Sequence, residues 1–117
     1  MVRNFTIIMA ALAISLFPAV AQAKPAQCSI SWFGASYQGP CEFESWEGGS
    51  FELSLPSDSY DNYEIPPYIV VDVFAVGRAR VGWLTPTGRT QEPVEPVERD
   101  ADERACWVGE EIRICAY

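Results

Sequence analysis

Four cysteines, spaced as two short-range pairs, constrain this chain more than any other feature. Cys28 and Cys41 bracket one stretch, and Cys106 and Cys115 bracket another near the end of the sequence. A small chain buries only a modest core and commonly adds disulfides to it. Both stretches read as β-hairpins. Cys28, Ile30 and Trp32 alternate with Ser29 and Ser31, and Gly34-Ala35 can turn the chain. With those two residues as the loop, Phe33 opposes Ser36, and Cys28 opposes Cys41 at a non-hydrogen-bonded site, where side chains approach most closely. One conflict remains: this register gives Pro40 a hydrogen-bonded site, where it has no N–H to donate. In the second stretch a loop at Glu110-Glu111 sets Gly109 against Ile112 and Cys106 against Cys115, again at a non-hydrogen-bonded site. Four cysteines allow three connectivities. The facing positions favour Cys28 with Cys41 and Cys106 with Cys115, each bridge closing a short loop and contributing on the order of 2–3 kcal/mol.

The compartment reading agrees with oxidised cysteines. Residues 1–23 have the form of a cleavable secretory signal, with Arg3 in the n-region, an apolar stretch from Ile7 to Val20, and Ala21-Gln22-Ala23 as a small-x-small cleavage site. The apolar run is short for a membrane span. The expected mature domain is residues 24–117, in the periplasm or secreted. Eight basic residues stand against 16 acidic ones and there is no histidine, giving a net charge of −8. Loss of the leader removes Arg3 and no acid, so the mature chain is more acidic still. Nucleic acid and anionic membrane surfaces are therefore disfavoured as partners, and a basic protein is favoured.

Along the mature chain the pattern is that of short strands. A three-residue loop at Gly48-Gly49-Ser50 sets Phe43 opposite Leu55 and Ser45 opposite Leu53, with a glycine in the left-handed position. Residues 56–67 read as an exposed loop rich in Pro, Ser, Asp and Tyr. Tyr68 to Val76 is apolar on both faces apart from Asp72, the pattern of a central strand. Gly77-Arg78 turns into a strand from Ala79 to Leu84. Residues 85–104 read as a long acidic, Pro-rich loop. The expected fold is all-β: a small antiparallel barrel or sandwich of about six or seven short strands, closed by two hairpin disulfides.

The chemistry is sparse. Without histidine there is no Ser-His-Asp or Cys-His arrangement and no HExxH site. No CxxC spacing points to metal, no glycine loop points to phosphate, and no cofactor is expected. Glu42, Glu44, Glu47 and Glu52 cluster around the second turn and would allow a paired-carboxylate hydrolase, but they read better as a solvated hairpin face. The acidic run from Glu92 to Glu103 lacks a calcium-loop pattern. Trp32, Trp83 and Trp107 read as core. Tyr60 and Tyr63, beside Asp58, Asp61 and Glu64, read as a surface patch suited to a basic protein, so Tyr60, Asp61, Tyr63 and Glu64 are the candidate binding residues.

Gly39-Pro40-Cys41, Gly49-Ser50-Phe51 and the ending Ala105-Cys106-Trp107-Val108 through Ile114-Cys115-Ala116 resemble a group of small exported alphaproteobacterial proteins of unknown function. The resemblance implies a Gram-negative periplasm and no particular activity. Relatives in that group carry a histidine-containing segment before the tail, where this chain has an acidic, Pro-rich one. In size, compartment and charge the chain is also similar to periplasmic lysozyme inhibitors. Three function classes are open: a non-enzymatic binding protein, inhibitor-like, for a basic protein; a structural or envelope-associated protein; and a small hydrolase using paired carboxylates.

Overall fold

The computed structural model describes residues 23–84 and 94–117. The leader, and with it the signal-peptide reading, lies outside the described residues, as does the first half of the expected acidic loop, residues 85–93.

Eight strands run in sequence order around a closed antiparallel barrel: β1 (Lys24–Trp32), β2 (Ala35–Ser45), β3 (Phe51–Ser54), β4 (Tyr68–Ala75), β5 (Arg78–Trp83), β6 (Glu95–Arg99), β7 (Cys106–Val108) and β8 (Ile112–Ala116). One short helix, α1 (Ser59–Tyr63), interrupts the meander between β3 and β4. The all-β expectation holds, with more strands than the sequence pattern gave. Closure by β8 against β1, through pairs such as Ile30 with Ile114, leaves the sheet without a terminal edge strand. No helix among the described residues is long and apolar enough to cross a membrane.

The core follows from alternation. Ile30 and Trp32 on β1, Tyr37 and Cys41 on β2, Leu53 on β3, Ile69 and Val71 on β4, Ala79 and Val81 on β5, and Ile112 and Ile114 on β8 all point inward and are buried. Trp32 and Trp107 are core residues as expected, and Trp83 packs partly buried against the same cluster. Strand β4 is paired on both sides, by β3 and β5, as expected of a central strand, but its second face is the outside of the barrel, where Val70 is buried and Phe74 is exposed.

The two disulfides have the expected connectivity but differ in geometry. Cys106 and Cys115 are directly opposed, with Cα atoms 4.0 Å apart. Cys28, by contrast, faces Gly39, and Cys41 faces Ala26, so the first bridge is diagonal with Cα atoms 5.9 Å apart. The hairpin turns at Phe33-Gly34, where both residues have positive φ (50° and 89°), and not at Gly34-Ala35. This is the combination a type I′ turn requires. The register is shifted by two residues, which keeps every side chain on its own face and is therefore invisible to hydrophobic alternation. The shift removes the Pro40 conflict. Pro40 now faces Gln27, whose own N–H and C=O are both paired with Tyr117, just past β8, so β1 asks nothing of the proline nitrogen.

The second turn is also displaced. Its three-residue length is as expected, but the loop is Glu47-Gly48-Gly49, and Phe43 faces Leu53. Ser50 is drawn out of the loop because its hydroxyl accepts from the Val73 N–H (2.8 Å) and donates to Asp72 (3.1 Å), tying the start of β3 to β4.

Two stretches read as loops carry structure. Residues 56–67 contain α1, and both Ser59 and Ile65 are fully buried there. Glu95–Arg99, inside the acidic Pro-rich stretch, is strand β6. Its only deeply buried side chain is Val97, with Glu95 and Arg99 at the flanking inward positions, so no hydrophobic alternation marks it.

Candidate binding surface at one end of the barrel

In an up-and-down barrel the connections alternate between the two ends. The Phe33-Gly34 turn, the α1 segment and the Glu110-Glu111 turn therefore share one end. The 46–50 loop, the Val76-Gly77 turn, residues 100–105 and Lys24 occupy the other.

Helix α1 is too short to be stable alone and is held by tertiary contacts. The Ser59 hydroxyl donates to the Ile65 carbonyl at 2.8 Å, and Ile65 inserts into the core. Asn62 bonds the Asp58 carboxylate at 2.9 Å, and Glu64 ends the turn in the left-handed conformation (φ 61°). This single turn brings Tyr60, Asp61, Tyr63 and Glu64 together, with Asp58 beside them, and all five are exposed.

The two tyrosines are not equivalent. Tyr60 is 61% exposed, whereas Tyr63 leans its ring against Tyr37 at 5.1 Å in an edge-to-face contact. Tyr37 is buried, and its hydroxyl donates to the Pro40 carbonyl. That bond covers a stretch of β2 that has outrun β3, since β3 pairing begins only at Glu42. Burial, then the neighbouring Tyr63 and Asp58, raise the Tyr37 phenol above its ordinary value of 10.0 and keep it a donor. Gly39 leaves room for the ring, because a Cβ there would sit 2.9 Å from the Tyr37 hydroxyl.

Sequence reasoning missed three residues at this end of the barrel. Phe33 is 49% exposed at the hairpin tip and packs edge-on against Trp32, and its N–H donates to the Glu111 carbonyl at 2.9 Å. Glu110 and Glu111 thus adjoin it. The aromatic hairpin tip and the acidic pair were both visible as turns. What the sequence lacked was the barrel closure that makes them neighbours.

The two ends differ in charge. Among the described residues the Phe33 end carries Asp58, Asp61, Glu64, Glu110 and Glu111 with no basic residue in its turns or helix. The opposite end is mixed, with Lys24, Arg78, Arg99 and Arg104 beside Glu47, Asp100, Asp102 and Glu103, and Arg113 is paired with Asp100 at 3.2 Å. Net charge alone did not reveal this difference.

The other chemical candidates have simpler surroundings. Glu44 directly faces Glu52 on the outer wall, with Glu42 on the same face, and burial followed by Glu44 raises the Glu52 carboxyl above 4.5. Glu47 lies in the turn that joins the same two strands. All four cysteines are in disulfides, and no group of three metal-binding side chains gathers among the described residues. A groove of about 530 Å³ runs along the outside between Pro25, Pro40, Pro56 and Tyr117, with Glu42 its one charged side chain.

Scans against protein-family models, curated proteins and solved structures return no match. The functional reading therefore rests on the surface itself.

Proposed function

We propose that this chain is an exported, non-enzymatic binding protein that captures a basic protein through the Phe33 end of the barrel, in the manner of an inhibitor. The observation that carries this reading is the pairing of exposed aromatics with acids at one end, facing away from Lys24, Arg78, Arg99 and Arg104. Aromatic side chains supply contact area at low entropic cost, and the surrounding carboxylates steer a cationic partner and select against anionic ones. The disulfides and the leader-like start of the sequence support a periplasmic or secreted location.

The test uses the position of Lys24, the only lysine in the chain. Coupling the mature chain to a resin through its amines anchors it at the opposite end and leaves the Phe33 end free. A discrete basic protein retained from periplasmic or secreted extract at low salt, and released at high salt, supports the reading. Recovery of only acidic proteins, or co-sedimentation with envelope fragments that salt does not reverse, would point to the envelope-associated alternative.

A further inference from the structure

Strand β2 is longer than β3 beside it, and the excess leaves a stretch of open sheet edge within the closed barrel. Ala35 to Phe43 pair with β1, whereas pairing with β3 begins only at Glu42, opposite Ser54. Two prolines end that ladder. At its next hydrogen-bonded position Pro40 would face Pro56, and neither has an N–H to give. The chain leaves β2 there and enters α1, with the Ser59 N–H on the Pro56 carbonyl at 2.9 Å.

The groups left open follow from the register. Gln27 exchanges its bonds with Tyr117, so Pro40, which faces it, turns its backbone away from β1. Gln38 and Ser36, facing Ser29 and Ser31, share that orientation because it repeats every second residue. Each directs one N–H and one C=O into the space that β3 has left. Among the described residues none of these groups has a hydrogen-bond partner, and both residues are exposed. The Pro40 carbonyl differs, because it accepts from Tyr37. Helix α1 reaches β2 through the inward-facing Tyr37 ring, against Tyr63, and bonds neither Ser36 nor Gln38.

The charge around this edge has one sign. From Pro25 to Gly77 the chain holds no lysine, arginine or histidine, so every charged side chain on β2, β3, β4 and α1 is a carboxylate. Burial, Tyr63 and then Asp58 raise the Tyr37 phenol, which places the Asp58 carboxylate beside the edge. Glu42 is the one charged side chain of the groove of about 530 Å³ that opens where β2 and β3 part, between Pro40 and Pro56.

We infer that the open edge of β2 receives an extended, cationic segment of the captured protein as an added strand. The main chain of that segment pairs with Ser36 and Gln38, and its lysines or arginines meet the carboxylates of the α1 segment and Glu42. Main-chain pairing holds any extended segment, and the single sign of charge selects a basic one. The inference rests on the proposed capture of a basic protein and adds the way that protein is held.

A capped octapeptide alternating lysine and valine is the probe, titrated into the mature chain. At saturation, exchange of the Ser36 and Gln38 amide protons should slow at least about tenfold. Two methylated versions of the peptide keep its charge and side chains, one blocked on the lysine backbone nitrogens and one on the valine backbone nitrogens. The version blocked in the pairing frame should bind at least about tenfold more weakly, the scale of losing one or two hydrogen bonds. Gln38→Pro removes a donor from the edge and, like Pro40, takes nothing from the β1 ladder. It should weaken binding by a similar factor in a chain that circular dichroism shows to be folded. No binding at millimolar peptide, protection elsewhere than at Ser36 and Gln38, or indifference to both methylations overturns the inference. A Gln38→Pro chain that captures a basic protein as well as wild type overturns it too, and leaves the proposed function standing. Peptide binding as expected, with no basic protein captured by wild type, keeps strand addition to β2 and removes the proposed function.

Discussion

Tyr37 and Tyr63 meet edge to face with ring centroids 5.1 Å apart, and this contact divides the tyrosine patch into a structural half and a free half. Tyr63 helps cover the stretch of β2 that β3 leaves unpaired, whereas Tyr60 is far more exposed. Tyr63→Ala should therefore cost about 1 kcal/mol of stability through the lost aromatic pair. Tyr60→Ala should leave stability within about 0.5 kcal/mol of wild type. Urea denaturation of both variants checks this directly, and equal losses would remove the distinction.

Phe33 occupies a turn position that favours asparagine or glycine, with a φ of 50°. Left-handed backbone costs a bulky residue on the order of 1–2 kcal/mol. Phe33→Asn relieves that cost and gives up the edge contact of a half-exposed ring with Trp32. The variant should be more stable than wild type by about 0.5–1 kcal/mol while binding a basic partner less well. A fall in melting temperature would show that Phe33 is held for packing alone.

The Glu44–Glu52 pair makes a pH prediction. The Glu52 carboxyl is raised in the folded state, by burial first and by Glu44 second. The folded protein therefore holds more protons than the unfolded chain just above the ordinary carboxylate range, and stability falls as pH rises through that window. Glu52→Gln should be more stable than wild type at neutral pH, with the advantage fading as pH falls toward about 4.5, the ordinary value for this group, and gone below it. Melting temperatures of the two proteins measured across that range would reveal any advantage that instead persists in acid.

The two disulfides should differ in cost. By loop length each contributes about 3 kcal/mol. Cys28 and Cys41 also belong to the hydrophobic core, whereas Cys106 and Cys115 are buried outside that cluster. Replacing Cys28 and Cys41 by alanine should therefore destabilise more than replacing Cys106 and Cys115, because packing is lost with the bridge. Chemical denaturation of the two double variants gives the order.

The limits of sequence reading trace to particular residues. Alternation located the strands around Ile30, Ile69, Val81 and Ile114 because each has one buried face. It could not choose between registers two apart, and the choice fell to the Phe33-Gly34 turn and to Pro40, whose conflict had marked the error. Strand β6 escaped notice because Val97 stands alone among charged neighbours. The tyrosine–acid helix was legible as a patch, but that Phe33, Glu110 and Glu111 share its end of the barrel was not. They are separated from it in sequence and are joined to it by the order of strands around the barrel.

The most direct test of the acidic, aromatic end as a binding surface is the affinity of the retained basic protein for wild type and for a Tyr60→Ala, Asp61→Lys, Glu64→Lys variant, measured calorimetrically at low salt. None of these three side chains is buried, so the variant should melt near the wild-type temperature. The expected result is a loss of affinity of about a hundredfold or more, the scale of removing an aromatic anchor and reversing its flanking charges. Undiminished affinity in a folded variant would contradict the assignment of function to this end of the barrel.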